Sequence, residues 1–140
     1  MKDENFSIEH LNPEGLHKNP AYTQAVIVSG AAKTIYIGGQ NAVDASGNVV
    51  GKGNMKEQVE QIFKNLRIIL ETCGARLENI IKWNIYVVEN EPIEPGLEVF
   101  QSVWDKRQNP PIITTVFVSK LGNPEFLVEI EAVAAIVPQN

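Results

Sequence analysis

At 140 residues the chain has the length of one domain, enough to bury roughly two thirds of its unfolded surface in a core. Its net charge of −5 and pI near 5.0, with twelve scattered Lys and Arg, argue against a nucleic-acid binder, which needs a basic footprint. No stretch approaches ~20 apolar residues and MKDENFSIEH contains no apolar signal region, so a cytoplasmic protein with no membrane partner is expected. The only cysteine, Cys73, rules out a disulfide within the chain and reads as a small buried hydrophobe in a reducing compartment.

No repeat, low-complexity tract or linker divides the chain, and residues 1–140 read as a single domain. Phe6 to Leu11 fits a short first strand, closed by the turn Asn12-Pro13-Glu14-Gly15. His10 and His17 lie near this loop, but no cluster of Cys, His or acidic residues stands at ligand spacing, so no metal site is expected. Tyr22 to Ser29 and Thr34 to Ile37 are rich in β-branched and aromatic residues and read as a hairpin joined through Gly30-Ala31-Ala32-Lys33. Gly38-Gly39-Gln40 follows at once. Paired glycines after a strand permit either a bulge or the close approach of a ligand.

Met55 to Cys73 is the clearest helix. Asn54 is placed to cap it, Glu57 to complete a capping box, and Gly74 to stop it in the left-handed region. Met55, Val59, Ile62, Phe63, Leu66, Ile69, Leu70 and Cys73 fall on one face, and Glu60–Lys64 forms a favourable spacing on the other. Ile80 to Val88 alternates as a strand, with Ile81, Trp83, Ile85 and Val87 expected to face the helix. The opposite face, Ile80, Lys82, Asn84, Tyr86 and Val88, is mixed in character, as expected where another subunit docks.

A second helix is expected from about Pro95 to Lys106, with Leu97, Phe100 and Trp104 along one face. After the rigid Asn109-Pro110-Pro111 come two strands. Ile112 to Val118 places Ile113, Thr115 and Phe117 on one side, and Phe126 to Val137 places Glu129 and Glu131 on a face with Leu127, Val133 and Ala135. The order β, β, β, α, β, α, β, β predicts an α/β (α+β) two-layer fold, a mixed six-stranded sheet with two helices on one face. The other sheet face is left half-apolar, which association would cover.

In this order and spacing, several segments resemble the Rid family (RidA/YjgF), formerly called L-PSP endoribonucleases. They are Pro20 to Ala25, Ile37-Gly38-Gly39-Gln40, the helical stretch QVEQIFKNLRIILETCGARLENIIK, Pro110 to Val118, and the closing VEIEAVA from Val128 to Ala134. The resemblance implies a chorismate-mutase-like fold, a homotrimer with small-molecule clefts between subunits, and no cofactor.

In family members that hydrolyse enamines and imines, an arginine following Pro-Ala holds the substrate carboxylate through two parallel hydrogen bonds. Here the aligned residue is Ile113, which cannot donate, and Leu97 stands where those members have an asparagine. Tyr22, Gly39, Thr115 through its backbone, and Glu129 match the family's site, with Glu129 in the position of the acid that handles the attacking water. From the residues alone, Tyr22 serves equally as an interface aromatic and Glu129 as a structural carboxylate. Arg107 and Lys120, the nearest cations along the chain, are the candidates to replace that guanidinium, against the plainer reading of both as solvated surface charges.

Two functions follow. One is an imine or enamine deaminase of weak or altered specificity; the other is a trimer that binds a more apolar molecule without turnover. The acidic pI and the absence of a histidine pair suited to phosphodiester cleavage argue against ribonuclease activity.

Overall fold

The computed structural model describes residues 5–104 and 109–138. Six strands and two helices form an α+β fold in which both helices cover one face of a mixed sheet. In chain order the elements are β1 (Ser7–Leu11), β2 (Ala25–Ser29), β3 (Lys33–Gln40), α1 (Met55–Thr72), β4 (Ile80–Val88), α2 (Glu94–Trp104), β5 (Ile112–Val118) and β6 (Val128–Ile136). A short 3-10 turn, Leu77–Asn79, leads into β4.

The main sheet has four strands in the order β3-β6-β4-β5, antiparallel except for the β4–β5 pair, and β1 and β2 form a separate antiparallel ribbon. The hairpin expected between Tyr22–Ser29 and Thr34–Ile37 is therefore absent. Ala25–Ser29 pairs with Ser7–Leu11 instead, and β3 pairs with β6. Gly30 accounts for the redirection. Its φ of +81° turns the chain, and the backbone of Asn5 and Phe6 packs where a side chain would stand.

The apolar stripe of α1 meets the sheet as its periodicity predicts. Met55, Val59, Ile62, Phe63, Leu66 and Leu70 are buried, with Ile69 and Cys73 packed beside them. Asn54 accepts from the Glu57 amide at 3.0 Å, but its own N–H goes to Gly51 O at 2.9 Å, so only half of the capping box forms. Gly74 takes the left-handed conformation at φ +78°. The Glu60–Lys64 pair is not made; the ion pairs among the described residues are Lys18–Glu14 and Arg76–Glu78.

In β4 the helix-facing set is Ile80, Trp83, Ile85 and Val87, and Ile81 is only half-buried. An irregularity in the β4–β6 ladder between Ile80 and Lys82 shifts the alternation and brings Ile80 into the core. Phe63, Trp83, Phe100 and Trp104 stack edge to face with centroids 5.0–5.9 Å apart, tying α1, β4 and α2 together.

The helix α2 seats Gly96, Val99 and Phe100 inward, and Leu97, expected on that face, is 46% exposed. Gly96 lets the helices approach closely, since a Cβ there would stand 3.2 Å from Val59 Cγ2. The expected end of α2 at Lys106 lies outside the described residues.

Candidate functional site

Gly39 and Glu129 come together where β3 meets β6. The ladder runs regularly to Ile37–Ala132 and resumes at Gln40–Ile130, so Gly38 and Gly39 form a bulge. A Cβ built on Gly39 would lie 2.8 Å from the carboxyl carbon of Glu129 and 3.1 Å from its Cγ. Of the two readings open to the sequence the bulge is the one formed, and Gly39 within it leaves room for the carboxylate of Glu129.

Glu129 stands opposite Tyr86 of β4, and the next outward residue of β6, Glu131, stands opposite Asn84. Glu131 Oε1 accepts from Asn84 Nδ2 at 2.9 Å and from the Tyr86 hydroxyl at 2.8 Å. The Asn84 hydrogen bond, then that from Tyr86, with a further contribution from the charge of Lys82, hold Glu131 below the usual carboxylate range against the opposing effect of burial. Tyr86 is pushed up in turn, first by its hydrogen bond to Glu131, then by burial and by the charges of Glu131 and Glu129. The ionised form of Glu131 is therefore the favoured one.

Ile113 lies elsewhere. It pairs with Trp83, a residue 2% exposed, and it packs, half-buried, against the core beneath the helices. Trp83 and Tyr86 have opposite parity along β4, so Ile113 and Glu129 sit on opposite faces of the sheet. Thr115, paired with Ile85, shares the helix-side register of Ile113 but is exposed on the edge strand.

Tyr22 is half-buried next to the same end of β5, because the neighbouring Thr23 amide donates to Pro111 O at 3.2 Å. Leu97 projects from α2. Lys120 lies exposed beyond the far end of β5, roughly 20 Å along an extended strand from Ile113, so it does not fill that position within its own chain. Arg107 lies outside the described residues.

The residues named from the sequence thus fall into two separate groups. Glu129 and Gly39 are at the β3 side of the sheet, while Tyr22, Ile113 and Thr115 are at the β5 edge. No group of three or more His, Cys, Asp or Glu with metal-binding geometry occurs among the described residues. No helix among them is long and apolar enough to cross a membrane.

The tie between Gln58 and β6 gave no signal at the sequence level. Gln58 is fully buried, donates from Nε2 to Gly51 O at 3.1 Å and Glu125 O at 2.9 Å, and accepts at Oε1 from Leu127 N at 2.9 Å. It fixes the start of the strand that carries Glu129.

Residues 15–136 match the family Endoribonuclease L-PSP. The chain belongs to that family, the Rid proteins. A RutC family protein of Aquifex aeolicus is 36% identical over 113 residues, 80% of this chain and 87% of that one. The 2-iminobutanoate/2-iminopropanoate deaminase of Rattus norvegicus is 30% identical over 118 residues, 84% of this chain and 82% of the enzyme. Among solved structures, the Rid protein YyfB of Yersinia pestis, itself of unknown function, superposes with a TM-score of 0.82 at 27% identity, covering 92% of this chain and 98% of that one. The two-layer α+β fold expected from the order of elements is the fold observed, and it matches that of Rid proteins as the resemblance implies.

Proposed function

We propose that this Rid protein acts as a homotrimer whose small-molecule clefts lie between subunits, and that its ligand carries no carboxylate. The observation that carries this reading is the location of Ile113. The resemblance puts Ile113 where the deaminase members have the carboxylate-binding arginine, and its side chain is half-buried, packed against the core. A carboxylate bound there would be desolvated without a partner, at a cost of several kcal/mol. The separation of the two groups supports the inter-subunit placement, since Tyr22, Ile113 and Thr115 line one sheet edge and Glu129 with Gly39 lies towards the other. A second copy is the simplest way to bring the two sets face to face.

Within such a cleft Glu129 is the group able to accept a proton from water or to hold a polar ligand atom, and Gly39 gives its carboxylate space beside the β3 bulge. A second reading, deamination of an imine or enamine, draws on the retained Glu129–Gly39 pair and on the 30% identity to the rat deaminase. It requires a substrate that does not depend on a carboxylate clamp. Calorimetric titration with 2-oxobutyrate and with its uncharged amide separates the cases. The amide binds and the acid does not; tight binding of the acid would overturn the altered-ligand reading.

A further inference from the structure

Among the described residues no side chain holds Glu129. Its carboxylate accepts no hydrogen bond and forms no ion pair there, so its place beside Gly39 depends on the backbone of β3 and β6. A free carboxylate is only as well placed as the strands under it. Where β3 ends, those strands are fixed by side-chain amides that neither the core nor the proposed cleft accounts for.

The run of amides begins on α1. Gln58, Gln61 and Asn65 fall at i, i+3 and i+7, along one stripe of the helix. Gln58 grips the start of β6. Gln61 Nε2 donates to Asn65 Oδ1 at 2.9 Å, which leaves the Asn65 amide nitrogen free to point away from the helix. Asn65 Nδ2 donates to two carbonyls where the chain leaves β3, Asn41 O and Val43 O, each at 3.1 Å. Asn41 completes the run, its own Nδ2 donating to Val128 O at 3.4 Å. Within the bulge, Gln40 Nε2 donates to Gly38 O at 3.1 Å and braces the two glycines from their own strand. Gln61, Asn65 and Asn41 are all half-buried, where a carbonyl left without its donor is not fully repaid by water.

We propose that Asn41 is a positioning residue for Glu129, held in turn by Asn65 and Gln61. The proposal rests on the reading of Glu129 as the group that meets the ligand, and adds how that group is aimed. The Val128 carbonyl belongs to the planar peptide unit that ends at the Glu129 Cα. A hydrogen bond on its oxygen therefore fixes that plane, and with it the direction in which the Glu129 side chain leaves the strand. The β3–β6 ladder has its last pair at Gln40–Ile130, so backbone pairing no longer does this at Val128. The Asn41 side chain takes over where the ladder stops, and α1 holds Asn41 in place through Asn65.

Nuclear magnetic resonance on the full chain with labelled Glu and Gly tests this without any ligand. In the wild type the γ-protons of Glu129 show an Overhauser peak to the α-protons of Gly39, as the 3.1 Å between that Cγ and a Cβ built on Gly39 requires. Asn41→Ala loses the peak with the fold retained, and Asn41→Gln, which keeps the donor, retains it. Asn65→Ala, which leaves Asn41 in place, loses it too and decides the matter where Asn41→Ala is too unstable to study. The two alanine changes together are no worse than Asn41→Ala alone, as a relay in series requires. A peak unchanged in folded Asn41→Ala overturns the proposal, and so does Asn41→Gln losing it as fully as Asn41→Ala. Titration with the amide of 2-oxobutyrate separates this from the functional reading, affinity falling on the order of tenfold in Asn41→Ala. A wild type that does not bind the amide, with the peak still lost in Asn41→Ala, upholds the relay and removes the ligand reading. Weaker binding with the peak intact would put Asn41 on the ligand itself and overturn the positioning role.

Discussion

The carboxylate of Glu129 occupies the space that a side chain on Gly39 would need. The neighbour is the end of a flexible side chain, so the two residues are coupled through position more than through stability. Gly39→Ala is expected to leave the unfolding midpoint within about 1 kcal/mol of wild type while displacing Glu129. Ligand affinity then falls as far as in Glu129→Ala, and the double variant is no worse than either single one. Additive losses in that double-mutant cycle would show that the two residues act separately.

Gln58 is the polar residue on which the start of β6 depends. Gln58→Ala leaves the Leu127 amide and two carbonyls without their partner, and a loss on the order of 3 kcal/mol is expected. Denaturant unfolding measures it; a change below about 0.5 kcal/mol, the range of ordinary surface substitutions, would contradict the role given to these bonds.

The Glu131–Tyr86 pair predicts a pH dependence of definite sign. Glu131 has a folded pKa below its unfolded one, so its contribution is present above the ordinary carboxylate pKa and is lost as pH falls through the depressed value. Tyr86 is raised above its ordinary 10.0, so its contribution is full below that pH and is lost as pH rises through the folded value. In Glu131→Gln the last step of the phenolate absorbance titration moves to lower pH. An unchanged titration would mean that the hydrogen bond is not made in solution.

The order of elements and the face of α1 were legible because an eighteen-residue helix repeats its apolar spacing many times. Strand partnership was not. The run Tyr22–Ser29 looks the same whether it pairs with the strand before or after it, and the choice is made by Gly30 and the packing of Asn5 and Phe6 behind it. The face assignment in β4 failed at Ile80 and Ile81, where an irregularity adds one residue to a period of two.

At the site, the residues named from the sequence are real neighbours only in part. Gly39 meets Glu129 because a bulge turns it there, whereas Ile113 and Glu129, sixteen positions apart in sequence, fall on opposite faces for reasons of register alone. The outward set Lys82, Asn84 and Tyr86 was visible as a mixed face, but its convergence on Glu131 depends on the antiparallel register of β4 with β6.

Release of ammonia from 2-iminobutanoate generated in solution tests the altered-ligand account most directly. On the proposed reading, in which Ile113 stands in the place of the carboxylate clamp, wild-type protein is expected to release ammonia no faster than the water background. A rate well above that background, abolished by Glu129→Gln, would contradict the account and make the chain a deaminase of the ordinary substrates.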